Sequence, residues 1–172
     1  MDNKSRTNLF IHGLFVLYMY ALIKIILFKF GSIDVTWLGM QLKESLTNPA
    51  HLIDRLESGN LVPFKEIATA IHVQTSHSLM NLYGNILIFI PLGFFIGLMS
   101  LNKRSTVSGA ILKSFGVSLC LESSQILFAI GRFDVDDLIL NASGGLLGYV
   151  ILQMFVWLMR AIPIRPEMEI KE

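Results

Sequence analysis

Residues 122–148 read ESSQILFAIGRFDVDDLILNASGGLLG, and they set charges inside an otherwise apolar chain. Glu122 stands within one apolar run, a polar hinge bearing Arg132, Asp134, Asp136 and Asp137 follows, and Asn141 stands within the next run. Such groups are costly in hydrocarbon unless they are paired, hydrated or put to use. The stretch therefore reads as two membrane helices joined by a short polar turn, and the rest of the chain is read against it.

Composition agrees. The 172 residues are 53% hydrophobic and 16% charged, with a mean hydropathy of +0.59, whereas an ordinary soluble domain carries about 25% charged residues. This is the composition of an all-α, polytopic membrane protein, and the length allows a single domain over 1–172. A net charge of +1 argues against a nucleic-acid partner, which needs a concentrated basic face. Cys120 is alone, so no internal disulfide can form.

Four apolar runs, about 9–28, 82–101, 107–130 and 138–159, each exceed the roughly 18 residues of a candidate span. Lys4 and Arg6 ahead of the first run imitate the start of a signal peptide. The run is long enough to span, however, and Phe28, Lys29 and Phe30 follow it as an interfacial anchor in place of a cleavage site. Lys24 can snorkel outward, and His12 is expected to bond to a neighbouring helix. Between the first two runs lie three weakly amphipathic stretches, 35–46, 49–58 and 64–73, expected as short interfacial helices on the bilayer or capping the bundle. Asn48, Pro49 and Gly59 supply the cap, first residue and stop of the middle one. Trp37 is an interface residue, and Glu44, Asp54, Glu57 and Glu66 read as solvated. Pro91 removes the helical bond to the Leu87 carbonyl, which predicts a kink. There is no internal repeat and no linker marking a second domain.

Four spans put both termini on one side. Cytoplasmic loops favour Lys and Arg, and the Lys103–Arg104 hairpin is basic whereas the 131–137 hinge holds one arginine and three aspartates. Lys4, Arg6, Arg160 and Arg165 fall on the hairpin's side, which makes both termini cytoplasmic in a multi-pass protein of the cell membrane. Lys24, Lys29 and Lys43 weigh against this orientation.

With a rise of about 1.5 Å per residue, Glu122 lies roughly 12 Å below the outer end of its helix, Gln125 roughly 8 Å, and Asn85 and Asn141 about 5 Å. They share one layer in the outer half of the membrane. Facing agrees with depth: Asn81 and Asn85 are one turn apart, Ser118, Glu122 and Gln125 share an arc, and Asp137, Asn141, Gly145 and Gly148 form a stripe. Gly144 with Gly148 and Gly93 with Gly97 are small-residue pairs that let helices approach closely. The expectation is an outward-facing polar pocket formed by Asn81, Asn85, Glu122, Gln125, Arg132, Asp134, Asp137 and Asn141. Against it stands the plainer reading in which the amides are interhelical glue, each bond contributing on the order of 1 kcal/mol. An ionised glutamate makes poor glue.

The motifs NLVPF at 60–64, NLYGNILIFIPLG at 81–93, Glu122 with Gln125, and GRFDVDDLILNASGGLLG at 131–148 occur in one order over the last two-thirds of the chain. Together they resemble the VanZ-like family of small integral membrane proteins, named for a teicoplanin-resistance accessory protein of Gram-positive bacteria. The resemblance implies a cell-envelope protein that protects against teicoplanin-type drugs.

Three functions stay open at this point. In the first, the pocket engages an anionic membrane lipid or lipid-linked cell-wall precursor, with Arg132 matching phosphate bidentately. In the second, the protein is a hydrolase or transferase acting on a lipid-linked substrate, with Glu122 as the catalytic base and Arg132 holding phosphate. Glu122, Asp134, Asp137 and Asn141 then form candidate oxygen ligands for a divalent cation, although Asp134 or Asp137 can equally cap the helix that follows the hinge. In the third, the glycine faces bind other membrane proteins; transport would require a homodimer, since no inverted repeat is present. GxSxG, HExxH and a glycine-rich phosphate loop are all missing. His77 and Ser78 read as loop polarity, and Ser123 and Ser124 as satisfying backbone carbonyls.

Overall fold

The computed structural model describes residues 2–28, 31–101 and 106–161. The Lys103–Arg104 hairpin, the Lys29 and Phe30 anchor, and Pro163, Arg165 and Pro166 of the tail lie outside those residues. Among the described residues the protein is all-helical, with α1 (Asn3–Phe28), α2 (Val35–Thr47), α3 (Pro49–Glu57), α4 (Lys65–Val73), α5 (Ser76–Met99), α6 (Val107–Leu127) and α7 (Val135–Ala161). Three helical segments among the described residues are long and apolar enough to cross a membrane: Ser5–Phe28, Ser76–Met99 and Val135–Ala161. The sequence led us to expect a fourth in 107–130. α6 occupies that run with 21 residues, but Lys113, Glu122 and its serines dilute the hydropathy.

Glycine sets the packing of α5 on α7. A Cβ at Gly144 would strike the Ile86 carbonyl, one at Gly148 the Ile90 carbonyl, and one at Gly93 the Gly145 carbonyl. The two backbones therefore touch where any side chain would hold them apart, which is how helices gain contact where water provides no drive. Gly145 faces the other way, against the Ser114 side chain of α6. The stripe read from the sequence thus divides between two neighbours. Around this contact Leu22, Phe89, Leu92, Ile96, Ala110, Leu121 and Tyr149 form the buried core.

α1 leans on the outside of this unit. Its Phe15 ring meets Phe95 edge-on at 5.6 Å, and Tyr18 Oη donates to the Ile88 carbonyl at 2.7 Å. α5 runs through Pro91 as one helix, so Tyr18 bonds beside the Leu87 carbonyl that the proline leaves without its helical donor. His12 bonds within its own helix, to the Asn8 carbonyl at 2.7 Å, and not to a neighbour.

α2, α3 and α4 close the end of the bundle where α6 finishes and α7 begins. The last carbonyls of a helix have no partner within it, and here side chains supply donors: Ser45 Oγ to the Leu127 carbonyl at 2.9 Å and Arg55 Nη1 to the Ile126 carbonyl at 3.4 Å. α6 ends three residues before the expected Ile130. Ala129 takes a left-handed φ of 59°, with Ile130 N–H bonding to the Gln125 carbonyl and Ala129 N–H to the Ile126 carbonyl. That is a Schellman termination built on alanine where glycine is usual. Asn48 stands at the N-cap of α3 as expected but makes no side-chain cap bond.

Gly148→Leu is expected to lower stability by about 1–3 kcal/mol or more through overpacking, seen as earlier thermal unfolding of the detergent-solubilised protein by size exclusion. Gly13→Leu, where a Cβ meets nothing within 4 Å, is expected to leave the transition within about 0.5 kcal/mol.

Candidate functional site

The hinge that links α6 to α7 is held by buried carboxylates bonded to backbone amides. Glu122 is 1% exposed, and its Oε2 accepts from the Asp134 N–H at 3.0 Å. Asp134 Oδ1 accepts from the Asp136 N–H at 2.8 Å, the geometry of an N-cap for α7. The same oxygen accepts from Asn60 Nδ2 at 2.9 Å. Asn60 and Asp134 pair as an isolated parallel bridge, with Asn60 N–H to the Phe133 carbonyl at 2.8 Å and Val135 N–H to the Asn60 carbonyl at 2.9 Å. Gly59 is required beside it, since a Cβ there would strike the Phe133 carbonyl.

Asp136 completes the clamp. Also 1% exposed, it accepts from the N–H groups of Phe64 at 2.5 Å, Glu66 at 2.7 Å and Ile67 at 3.1 Å. These are the orphan donors at the start of α4, where the helix dipole also favours an anion. Phe64 turns into α4 with a left-handed φ of 66°, so the NLVPF segment is shaped to present its amides to this one carboxylate.

Beside the clamp lies an open cleft of ≈ 780 Å³. Asn81, Asn85 and His77 of α5 line one wall, Lys65 and Glu66 of α4 another, and Gln125, Arg132, Asp134 and Asp137 come from the hinge and its two helices. Asp137 Oδ1 accepts from Asn85 Nδ2. Gln125 Nε2 donates to the Ile26 carbonyl of α1 at 3.2 Å, and its side chain packs under Gly131. Arg132 and Lys65 are exposed at the mouth, and among the described residues no ion pair joins either to a carboxylate.

The structure thus brings six of the eight residues expected from the sequence to one cleft: Asn81, Asn85, Gln125, Arg132, Asp134 and Asp137. Glu122 is buried behind it, touching it through the Asp134 amide. Asn141 lies deeper, between α6 and α7, where its Nδ2 donates to Ser118 Oγ at 2.8 Å; its Oδ1 and the nearby Ser114 Oγ are buried without a hydrogen-bond partner among the described residues. The carboxylates turn to different amides, and among the described residues no three His, Cys, Asp or Glu side chains are placed to hold a metal ion. Sequence reading did not place Asn60, Asp136 or Lys65 at the site, and it read His77 and Ser78 as loop polarity, whereas both lie in the first turn of α5 and His77 lines the cleft. For Asn60 and Asp136 the available signal was the motifs that contain them; for Lys65 and His77 nothing local pointed to a cleft.

Two comparisons with known proteins bear on this arrangement. A family model described as VanZ/LLP1 matches residues 15–157. A protein of Enterococcus faecium named Protein VanZ is 30% identical over 140 residues, which cover 79% of this chain and 69% of that protein. No solved structure matches.

Asp136→Asn leaves one acceptor oxygen where two now serve three amides. Bonds to a charged acceptor contribute about 1.5–3 kcal/mol each, so hydrogen exchange at residues 64–67 is expected to accelerate by at least about tenfold, with exchange in the middle of α5 unchanged. Equal protection of 64–67 in both proteins would mean that the carboxylate does not anchor α4.

Proposed function

Because the chain belongs to the VanZ/LLP1 family, we propose that it is a multi-pass protein of the cell membrane whose cleft engages the phosphate of an anionic lipid or a lipid-linked cell-wall precursor. In this reading α6 crosses the membrane beside the three more apolar helices, both termini are cytoplasmic, and α2 to α4 lie at the outer surface. The cleft then opens to the outside, where teicoplanin-type drugs meet their membrane-proximal target. Occupying or shielding that precursor would reduce access of the drug.

The observation that carries the reading is the cleft of ≈ 780 Å³ with Arg132 and Lys65 at its mouth. Its size falls in the range of small-ligand sites, about 300–1,000 Å³. A guanidinium with no carboxylate partner among the described residues is suited to bidentate phosphate recognition. Exposed apolar side chains, Leu61, Val62, Phe64, Ile71 and Val73, belong to the 61–64 segment and α4, which also carries Lys65 and Glu66 of the cleft, a composition suited to resting in the headgroup layer. What favours binding over chemistry is the state of Glu122, whose carboxylate holds the hinge amide and lies behind the cleft wall.

Expressed in a teicoplanin-sensitive Gram-positive host, the parent protein is expected to raise the inhibitory concentration of the drug. Arg132→Ala and Glu122→Gln, at normal membrane abundance, are expected to return it toward the vector control. Protection by both variants equal to that of the parent would refute a role for the cleft.

A further inference from the structure

We propose that the cleft selects phosphorylated headgroups that carry a hydrogen-bond donor beyond the phosphate, an ammonium or a hydroxyl, and does not take anions as a class. The inference rests on the reading of the cleft as the ligand site and deepens it.

Charge in the cleft is sorted by position. The cations, Arg132 and Lys65, are both exposed at the rim, where Glu66 lies beside Lys65, whereas the half-buried charged groups further in are carboxylates only, Asp134 and Asp137, with Glu122 sealed behind them. A phosphate held at the mouth meets a guanidinium and an ammonium. The same phosphate pushed inward meets two carboxylates and loses the water that screened them, which is unfavourable at short range in a medium less polar than water. Whatever part of the ligand lies inward must therefore be neutral or positive.

That inner surface is also rich in acceptors. A carboxylate offers about four acceptor sites, and the bonds from Asn81 and Asn85 to Asp137 and from Asn60 and the Asp136 amide to Asp134 leave some of them open. Gln125 donates its amide nitrogen to Ile26, so its oxygen is the end left toward Gly131 and the cleft. Asn81 of α5 bonds to Asp137 through its side chain, which leaves its amide oxygen as a further acceptor at the cleft. A headgroup that brings an N–H or O–H satisfies these groups. One that brings only methyl groups, or nothing, leaves them desolvated and unpaired, a cost that gives polar sites their discrimination.

The test uses the full chain in detergent and native mass spectrometry with dioleoyl lipids in competition. Phosphatidylethanolamine and phosphatidylglycerol, which have donors beyond the phosphate, are expected to be retained roughly tenfold or more over phosphatidylcholine and phosphatidic acid, which lack them. A polyprenyl diphosphate-linked sugar added to the same mixture is expected to compete with the first pair, and the better competitor identifies the source of the headgroup. Asp137→Asn is expected to bring the ethanolamine-to-choline ratio toward one, while Arg132→Gln weakens all the lipids together. Where Asp137→Asn fails to fold, Asn81→Leu on the exposed wall is expected to narrow the same ratio.

Retention of phosphatidic acid or phosphatidylcholine equal to that of the donor lipids, still lost in Arg132→Gln, would overturn the donor requirement and leave the cleft as a phosphate site. An unchanged ratio in the inner-wall variant would overturn it too. Retention of every lipid unaffected by Arg132→Gln would remove the cleft reading itself.

Discussion

Two buried carboxylates, Glu122 and Asp136, hold backbone amides at the end of the bundle, and the rest of that end is arranged around them. A carboxyl group buried at either position without hydrogen-bond partners would be costly whether or not it is charged, so the chain must bring donors to them. Glu122 draws in the hinge at Asp134. Asp136 draws in the first turn of α4 from residues about 70 positions earlier. Between them Asp134 joins the start of α7 to Asn60. The motifs NLVPF and FDVDD are two halves of one docking contact, and the cleft is the space this contact leaves beside α5.

The glycine contact between α5 and α7 works in the same direction from within the bundle. With Gly93, Gly144 and Gly148 bringing the backbones together, Asn85 and Asp137 meet at the top of the same seam. Close packing below and a hydrogen-bonded amide above make a floor that apolar side chains alone would not give. The polar residues of α6 continue inward as Ser118 and Ser114, both fully buried, and the line ends at Ala110 on the same face. The buried polar line therefore stops within the bundle and does not cross it.

Much of this was legible in the sequence, because it depends on local period. Hydropathy located the four long helices, and the small-residue pairs identified the faces of α5 and α7 that touch. Of the six cleft residues, Asn81, Asn85, Gln125 and Asp137 followed from depth and facing, and Arg132 and Asp134 from the charge of the hinge. The errors were of a different kind. Helical spacing put Asp137, Asn141, Gly145 and Gly148 on one stripe, but a central helix has two neighbours: Gly148 serves α5, whereas Asn141 and Gly145 serve α6. The end of α6 was misplaced because an alanine adopts the left-handed turn that glycine usually marks. Asp136 stood only as one more charge of the polar hinge, since its partners are backbone amides far away in the chain and no pattern of side chains announces them. Glu122 was legible as a residue that needed an explanation, and the explanation is first of all structural.

Aqueous access along α5 tests the account most directly. In a Cys120→Ser background, single cysteines at Asn81, Asn85 and Ile88, which line the cleft, are compared with one at Leu87, which is 62% exposed but outside it. Maleimides react with the thiolate, which forms in water and not in hydrocarbon. A membrane-impermeant maleimide added from outside is expected to label 81, 85 and 88 and to spare 87. Labelling that stops at 81, or that reaches 87 as readily as its neighbours, would mean that no water-filled cleft enters the outer half of the bundle.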